Sequence, residues 1–154
     1  MAFPTVSYTR DTPAGYPGMI ATTEPHWITS MVVASGSGDI GFGKAVVYGA
    51  ADDTVALPTA GGKFAGIAVA DRTLPHAQGE VFKPYDQISV MKNGSIWVTA
   101  AVAVAQGDPV YFVEADGSLS NVDGGGANQL IENAEWATTT TGPGLARIRL
   151  GVTK

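Results

Sequence analysis

Only a few residues of this chain have types that could do chemistry. There are two histidines, His26 and His76, fifty positions apart in the contexts Glu24-Pro25-His26 and Leu74-Pro75-His76. A metal centre needs three or more convergent ligands, so two isolated loop histidines read as surface side chains. Asp52-Asp53 would be a carboxylate pair if both pointed one way. Neighbours on a strand point to opposite faces, so the pair reads as a polar turn. The run Asp116-Gly117-Ser118-Leu119-Ser120-Asn121-Val122-Asp123-Gly124 is rich in oxygen but lacks the acid spacing and closing Glu of a calcium loop. Gly41-Phe42-Gly43-Lys44 has a phosphate-loop flavour, yet Ala45 follows the lysine where a hydroxyl is required. Gly36-Ser37-Gly38 is a linker rather than a nucleophile elbow. No nucleophile–base pair can be named, so the expected catalytic, cofactor-binding and metal residues are none, and no cofactor is expected. Trp27, Trp97 and Trp136 could stack on sugar rings, although large aromatics more often fill cores.

The elements that carry these residues are β-patterned. The chain has 154 residues, 45% of them apolar and only 15% charged, with 20 Gly and 9 Pro. That composition suits one folded domain with many turns and a lightly charged surface, which needs another way to avoid aggregation or is covered in service. Net charge is −5, and of the nine Lys and Arg only Arg147 and Arg149 sit close together, so nucleic acid is not an expected partner. No apolar run approaches a membrane span and no signal peptide is evident, so no membrane partner is expected. There is no cysteine to form a disulfide frame.

β segments are expected near Ile28–Ala34 and at Lys44–Tyr48, Phe64–Val69, Ile88–Lys92, Ser95–Val104, Pro109–Glu114, Ser118–Val122 and Leu145–Val152. Ala127–Ala134 could make a short turn of helix. Asn93-Gly94 between two β-rich runs predicts a type I′ hairpin that pairs Met91 with Ile96, Val90 with Trp97 and Ser89 with Val98. Neither face of that hairpin is cleanly polar, so both need cover, one from the domain core and the other from a partner. The fold class expected is all-β, a compact β-barrel or jelly-roll-like sandwich with an extended N-terminal arm. Residues 1–28 form that arm, punctuated by Pro4, Pro13, Pro17 and Pro25, and residues 29–154 the single β domain. An internal repeat aligns Gly43-Lys44-Ala45-Val46, Ala51-Asp52 and Val55 with Gly107-Asp108-Pro109-Val110, Ala115-Asp116 and Leu119. It then matches Phe64-Ala65 to Trp136-Ala137.

Several of these segments, in order, resemble the structural cement (head decoration) proteins of tailed bacteriophages. The residues that carry the likeness are Pro13-Ala14-Gly15-Tyr16-Pro17-Gly18-Met19-Ile20, Gly43-Lys44-Ala45-Val46, Phe64-Ala65-Gly66-Ile67-Ala68 and Tyr85-Asp86 leading into Ile88–Val98. Gly107-Asp108-Pro109-Val110-Tyr111 and Gly144-Leu145-Ala146-Arg147-Ile148-Arg149-Leu150 complete it. The resemblance implies a non-enzymatic virion protein on the outside of the capsid, assembled in the host cytoplasm. It would bind the major capsid protein, bridge capsomers as a homodimer and stabilise the expanded head. Expected capsid or partner contacts are Phe3, Tyr8, Tyr16, Met19 and Trp97. The competing expectation is a glycan- or small-ligand-binding β-barrel with Trp97 or Trp136 at its mouth, a host-adhesion module.

Overall fold

A computed structural model describes residues 15–152. The described residues form eleven strands: β1 (Trp27–Val33), β2 (Ile40–Gly41), β3 (Ala45–Tyr48), β4 (Thr54–Ala56), β5 (Phe64–Ala68), β6 (Val81–Phe82), β7 (Gln87–Ala100), β8 (Pro109–Val113), β9 (Leu119–Ser120), β10 (Asn128–Trp136) and β11 (Gly144–Leu150). The all-β barrel expectation holds.

The strands close into two rings. β1 pairs with β4, β4 with β3, β3 with β5, β5 with the first half of β7, and that half with β1. The second half of β7 pairs with β11, then β10, β8 and β9 follow, and β9 returns to β7. Each ring has five strands, and each is closed by a parallel contact, Val33 beside Val55 and Ala100 beside Leu119. Closure removes most of the free edges that an open sheet would expose.

The two rings are one repeat. Gly43 N–H donates to Ala68 and the Ala68 N–H to Lys44; Gly107 N–H donates to Trp136 and the Trp136 N–H to Asp108. Ala34 N–H donates to Val55 as Ala101 N–H does to Leu119. Tyr48 lies opposite Val55 as Phe112 lies opposite Leu119. The repeat read in the sequence therefore holds in its first part, with one shift. Trp136-Ala137 corresponds to Ala68-Val69, not to Phe64-Ala65, because those are the residues that make equivalent bonds.

Two expectations fail. Asn93-Gly94 is no hairpin turn: β7 runs unbroken through it, with Met91 opposite Ile28 and Ile67, and Ile96 opposite Ile148. Local turn propensity loses because each half of the strand has its own partners, in different rings. Gly94 is needed for another reason. Its φ is 121°, and a Cβ there would lie 2.6 Å from His26 Cβ, where the chain crosses on its way into β1. The second failure is Ala127–Ala134, which forms β10 rather than a turn of helix.

Read as one strand, β7 alternates plainly. Ile88, Val90, Ile96, Val98 and Ala100 face the ring interiors and are fully buried. The first ring packs Met31, Val33, Val46, Val55, Ile88 and Val90, capped by the Phe42–Phe82 pair with centroids 5.3 Å apart. The outer faces of β3, β5 and β7 contribute Ala45, Val47, Ile67 and Met91 to the core of the second ring, which fuses the two. Phe64 of the first ring stacks on Phe112 of the second at 5.6 Å.

Candidate functional site

Two surfaces stand out. The first is a strap, residues 15–24, laid along the second half of β7. Gly18 N–H donates to Trp97 at 2.7 Å, Trp97 N–H to Met19 at 2.9 Å and Ala21 N–H to Ser95 at 2.9 Å. Gly18 approaches so closely that a Cβ on it would lie 2.7 Å from the Ala70 nitrogen, and its φ is 83°. No other residue fits there without moving backbone. Glu24 latches the end of the strap. Its carboxylate accepts from the Thr22 hydroxyl at 2.8 Å, from the Ser95 hydroxyl and from the Arg149 guanidinium. Those donors, Ser95 foremost, then Thr22 and Arg149, hold the Glu24 carboxyl down at about 2.

Tyr16, Met19 and Trp97 come together on this strap. Trp97 is half-buried, and Gly15 lies so close that a Cβ on it would sit 2.7 Å from the indole. The Arg72 guanidinium sits 4.0 Å from the centre of the Tyr16 ring. Phe3 and Tyr8 lie outside the described residues. Tyr16 thus holds the arm where it meets its own domain. Trp136 is fully buried and its Nε1 donates to Ser120 O at 3.3 Å, so of the three tryptophans considered for a sugar platform Trp136 is core, Trp97 is half-buried and Trp27 alone is exposed.

The second surface was missed in the sequence. Trp27 is 63% exposed and Tyr48 41%. The Lys92 ammonium lies between them, 5.8 Å from the Trp27 ring and 5.0 Å from the Tyr48 ring, and donates to the Tyr48 hydroxyl at 2.7 Å. This is the mouth of the first ring, a shallow depression of about 480 Å³ whose far rim is Asp52 and Asp53. The repeat carried the signal: extending the match at Gly43 and Gly107 sets Tyr48 against Phe112. Thr29, Tyr48 and Lys92 stand where the second ring has the buried Ile96, Phe112 and Leu150. One ring is plugged with hydrocarbon and the other opens through an amphipathic mouth.

The residues with chemical potential fold into structural roles. The Lys44 ammonium donates to the Ser118 hydroxyl at 2.9 Å. Asp116 accepts from the Ser118 N–H and Asp123 from the Gly125 N–H, each closing its own turn. Among the described residues no cluster of three His, Asp or Glu could hold a metal ion.

A family model described as structural cement protein (E217 gp24/Pam3 gp6) matches residues 3–151. The chain belongs to this family of phage structural cement proteins. A chain from a solved structure, the capsid of Myoviridae Phage XM1, shares the fold of this cement-family chain. The TM-score is 0.74 at 20% identity, over 97% of this chain and 98% of that one. None of the curated proteins compared matches it. The protein therefore has a phage virion structural role.

Proposed function

We propose that this protein binds the outer surface of the phage head, bridges neighbouring capsomers as a homodimer and holds the expanded shell together, without catalysis. Membership of the cement family over residues 3–151 is the observation that supports this most. The open mouth of the first ring gives it a physical site. Trp27, Tyr48 and Lys92 combine exposed aromatic area with a cation, the composition of interface anchors. The major capsid protein meets this patch. Residues 1–28 work as the arm and residues 29–154 as the β domain. Phe3 and Tyr8 contact a neighbour, and Tyr16, Met19 and Trp97 fix where the arm departs.

The mechanism is linkage. A protein that binds the expanded shell and not the unexpanded one stabilises the expanded state by its binding free energy. Individual contacts can be weak, because a dimer seated on two capsomers gains effective concentration. The net charge of −5 fits an exterior position, away from packaged DNA, and assembly in the host cytoplasm.

Cosedimentation with expanded and unexpanded shells that lack the protein tests the reading. Saturable binding to the expanded shells alone is expected; equal binding to both, or none, would remove it.

A further inference from the structure

The turn that leads into β7 carries a residue its geometry disfavours. Lys83-Pro84-Tyr85-Asp86 is closed by the Asp86 N–H, which donates to the Lys83 carbonyl at 3.0 Å. Proline stands second, and Tyr85, standing third, has a φ of 73°. Those are the marks of a type II turn, whose third place suits glycine. Among the described residues, the other non-glycines with positive φ are Asp53 and Asn133, types that tolerate it. A tyrosine there is an outlier and costs stability. The surroundings hold it in place. The Asp86 carboxylate accepts from the Lys83 N–H at 2.8 Å and from the Gln78 side-chain amide. The Tyr85 N–H donates to Val33 at 2.9 Å, and the Val33 N–H donates to Asp86 at 2.9 Å.

Little within the fold offsets this strain. Tyr85 is 77% exposed, more than any other large apolar side chain among the described residues. Nor does the repeat call for a left-handed residue. Gly144 lies opposite Ala100 where Asp86 meets Val33, and the residue before Gly144 is Pro143, whose ring fixes φ at about −65°. Strain that the surroundings enforce and the fold does not use points to a role for the side chain outside its own domain. The position of Tyr85 selects the partner. Trp27 and Val33 are the two ends of β1, roughly 20 Å apart at the usual rise per strand residue. Trp27 belongs to the open mouth, and Tyr85 is tied to Val33 at the opposite end. The first ring therefore presents an exposed aromatic at each end, and the one at Tyr85 stands beside the exposed Lys83–Asp39 ion pair at 3.1 Å. An aromatic flanked by a polar rim is the make-up of a protein contact. A bridge needs two footings, and a mouth seated on one subunit leaves the other end for the next.

We infer that Tyr85 is a second capsid contact, docked on a subunit of the major capsid protein other than the one at the mouth. The inference rests on the capsid binding proposed above and adds its second footing. Tyr85→Gly in the full-length chain removes strain and ring together. Its thermal midpoint is expected to rise by about 2–4 °C, while its affinity for expanded shells falls at least tenfold. Tyr85→Asn, which also tolerates the turn, is expected to bind as weakly. A midpoint that rises in neither variant would mean that the ring stabilises its own domain, and overturns the inference. Undiminished binding by both variants overturns it and leaves binding through the mouth standing; a parent that binds no shells overturns both. The partner is read by placing photoreactive benzoylphenylalanine at position 85 and irradiating the decorated shells. A cross-link to the major capsid protein is expected, and a chain carrying the group at positions 27 and 85 is expected to join two capsid subunits. Cross-links from position 85 to a second copy of this chain alone, or a doubly labelled chain that never joins more than one capsid subunit, overturn the assignment.

Discussion

At equivalent places the first ring presents Thr29, Tyr48 and Lys92, and the second Ile96, Phe112 and Leu150. The hydrogen-bond register is the same, so the backbone tolerates either set. What differs is the use of the ring. The second is filled by Trp136, Phe112, Leu119 and Ile148, all at 1% exposure or less, and its outer edge is sealed by the strap. The first is filled by Met31, Val33, Val46, Val55, Ile88 and Val90 and ends in an open mouth. Duplication lets one copy of a fold carry stability while the other carries surface. That division fits the function proposed above, in which the open ring meets the capsid protein.

Substitutions at matched positions break or sharpen this contrast. The largest effect is expected in the plugged ring. Phe112→Ala should cost about 3–5 kcal/mol in urea unfolding. Tyr48→Ala, at the equivalent position, should stay within about 1 kcal/mol, because its ring is partly solvated. Similar losses at both positions would mean the first mouth is as structural as the second.

Gly94→Val comes next. The substituted side chain would meet the His26 backbone turn at a φ of 121°, and about 1–3 kcal/mol should be lost. A variant as stable as the parent would show that the crossing at His26 yields easily.

The strap provides a pH test. The carboxyl of Glu24 titrates at about 2 in the folded chain, against 4.5 ordinarily. A depressed carboxyl contributes stability that is whole above its unfolded value and is lost as pH falls through the folded one. Strap opening, read from amide exchange at Gly18 and Ala21, should therefore rise between pH 4.5 and 2. Glu24→Gln should make it flat across that window while leaving the rings closed. A parent profile that is already flat would show that the latch holds nothing. The smallest effect is expected from Lys92→Ala, within about 0.5 kcal/mol of stability, since its partners are exposed.

Much of the fold was legible. Short β runs, turn pairs and a repeat centred on Gly43 and Gly107 gave the class, most strands and the two related units. The hairpin at Asn93-Gly94 was not, because a local turn signal cannot reveal that each flanking run has a partner from a different ring. The cue lay in the alternation, since Ile88, Val90, Ile96, Val98 and Ala100 share one face only if the strand continues. β10 was hidden by its composition: Asn128, Gln129, Glu132 and Asn133 are poor strand formers, held there by β8 and β11. The site was legible in part. Tyr16, Met19 and Trp97 do meet, but Trp27, Tyr48 and Lys92 are far apart in sequence and only ring closure brings them together.

The most direct measurement is the cosedimentation of the parent and of a Trp27→Ala, Tyr48→Ala double variant with expanded shells that lack the protein. The expected result is saturable binding by the parent, and binding at least tenfold weaker by a variant whose unfolding midpoint is nearly unchanged. Undiminished binding by the variant would contradict the assignment of capsid contact to the open ring.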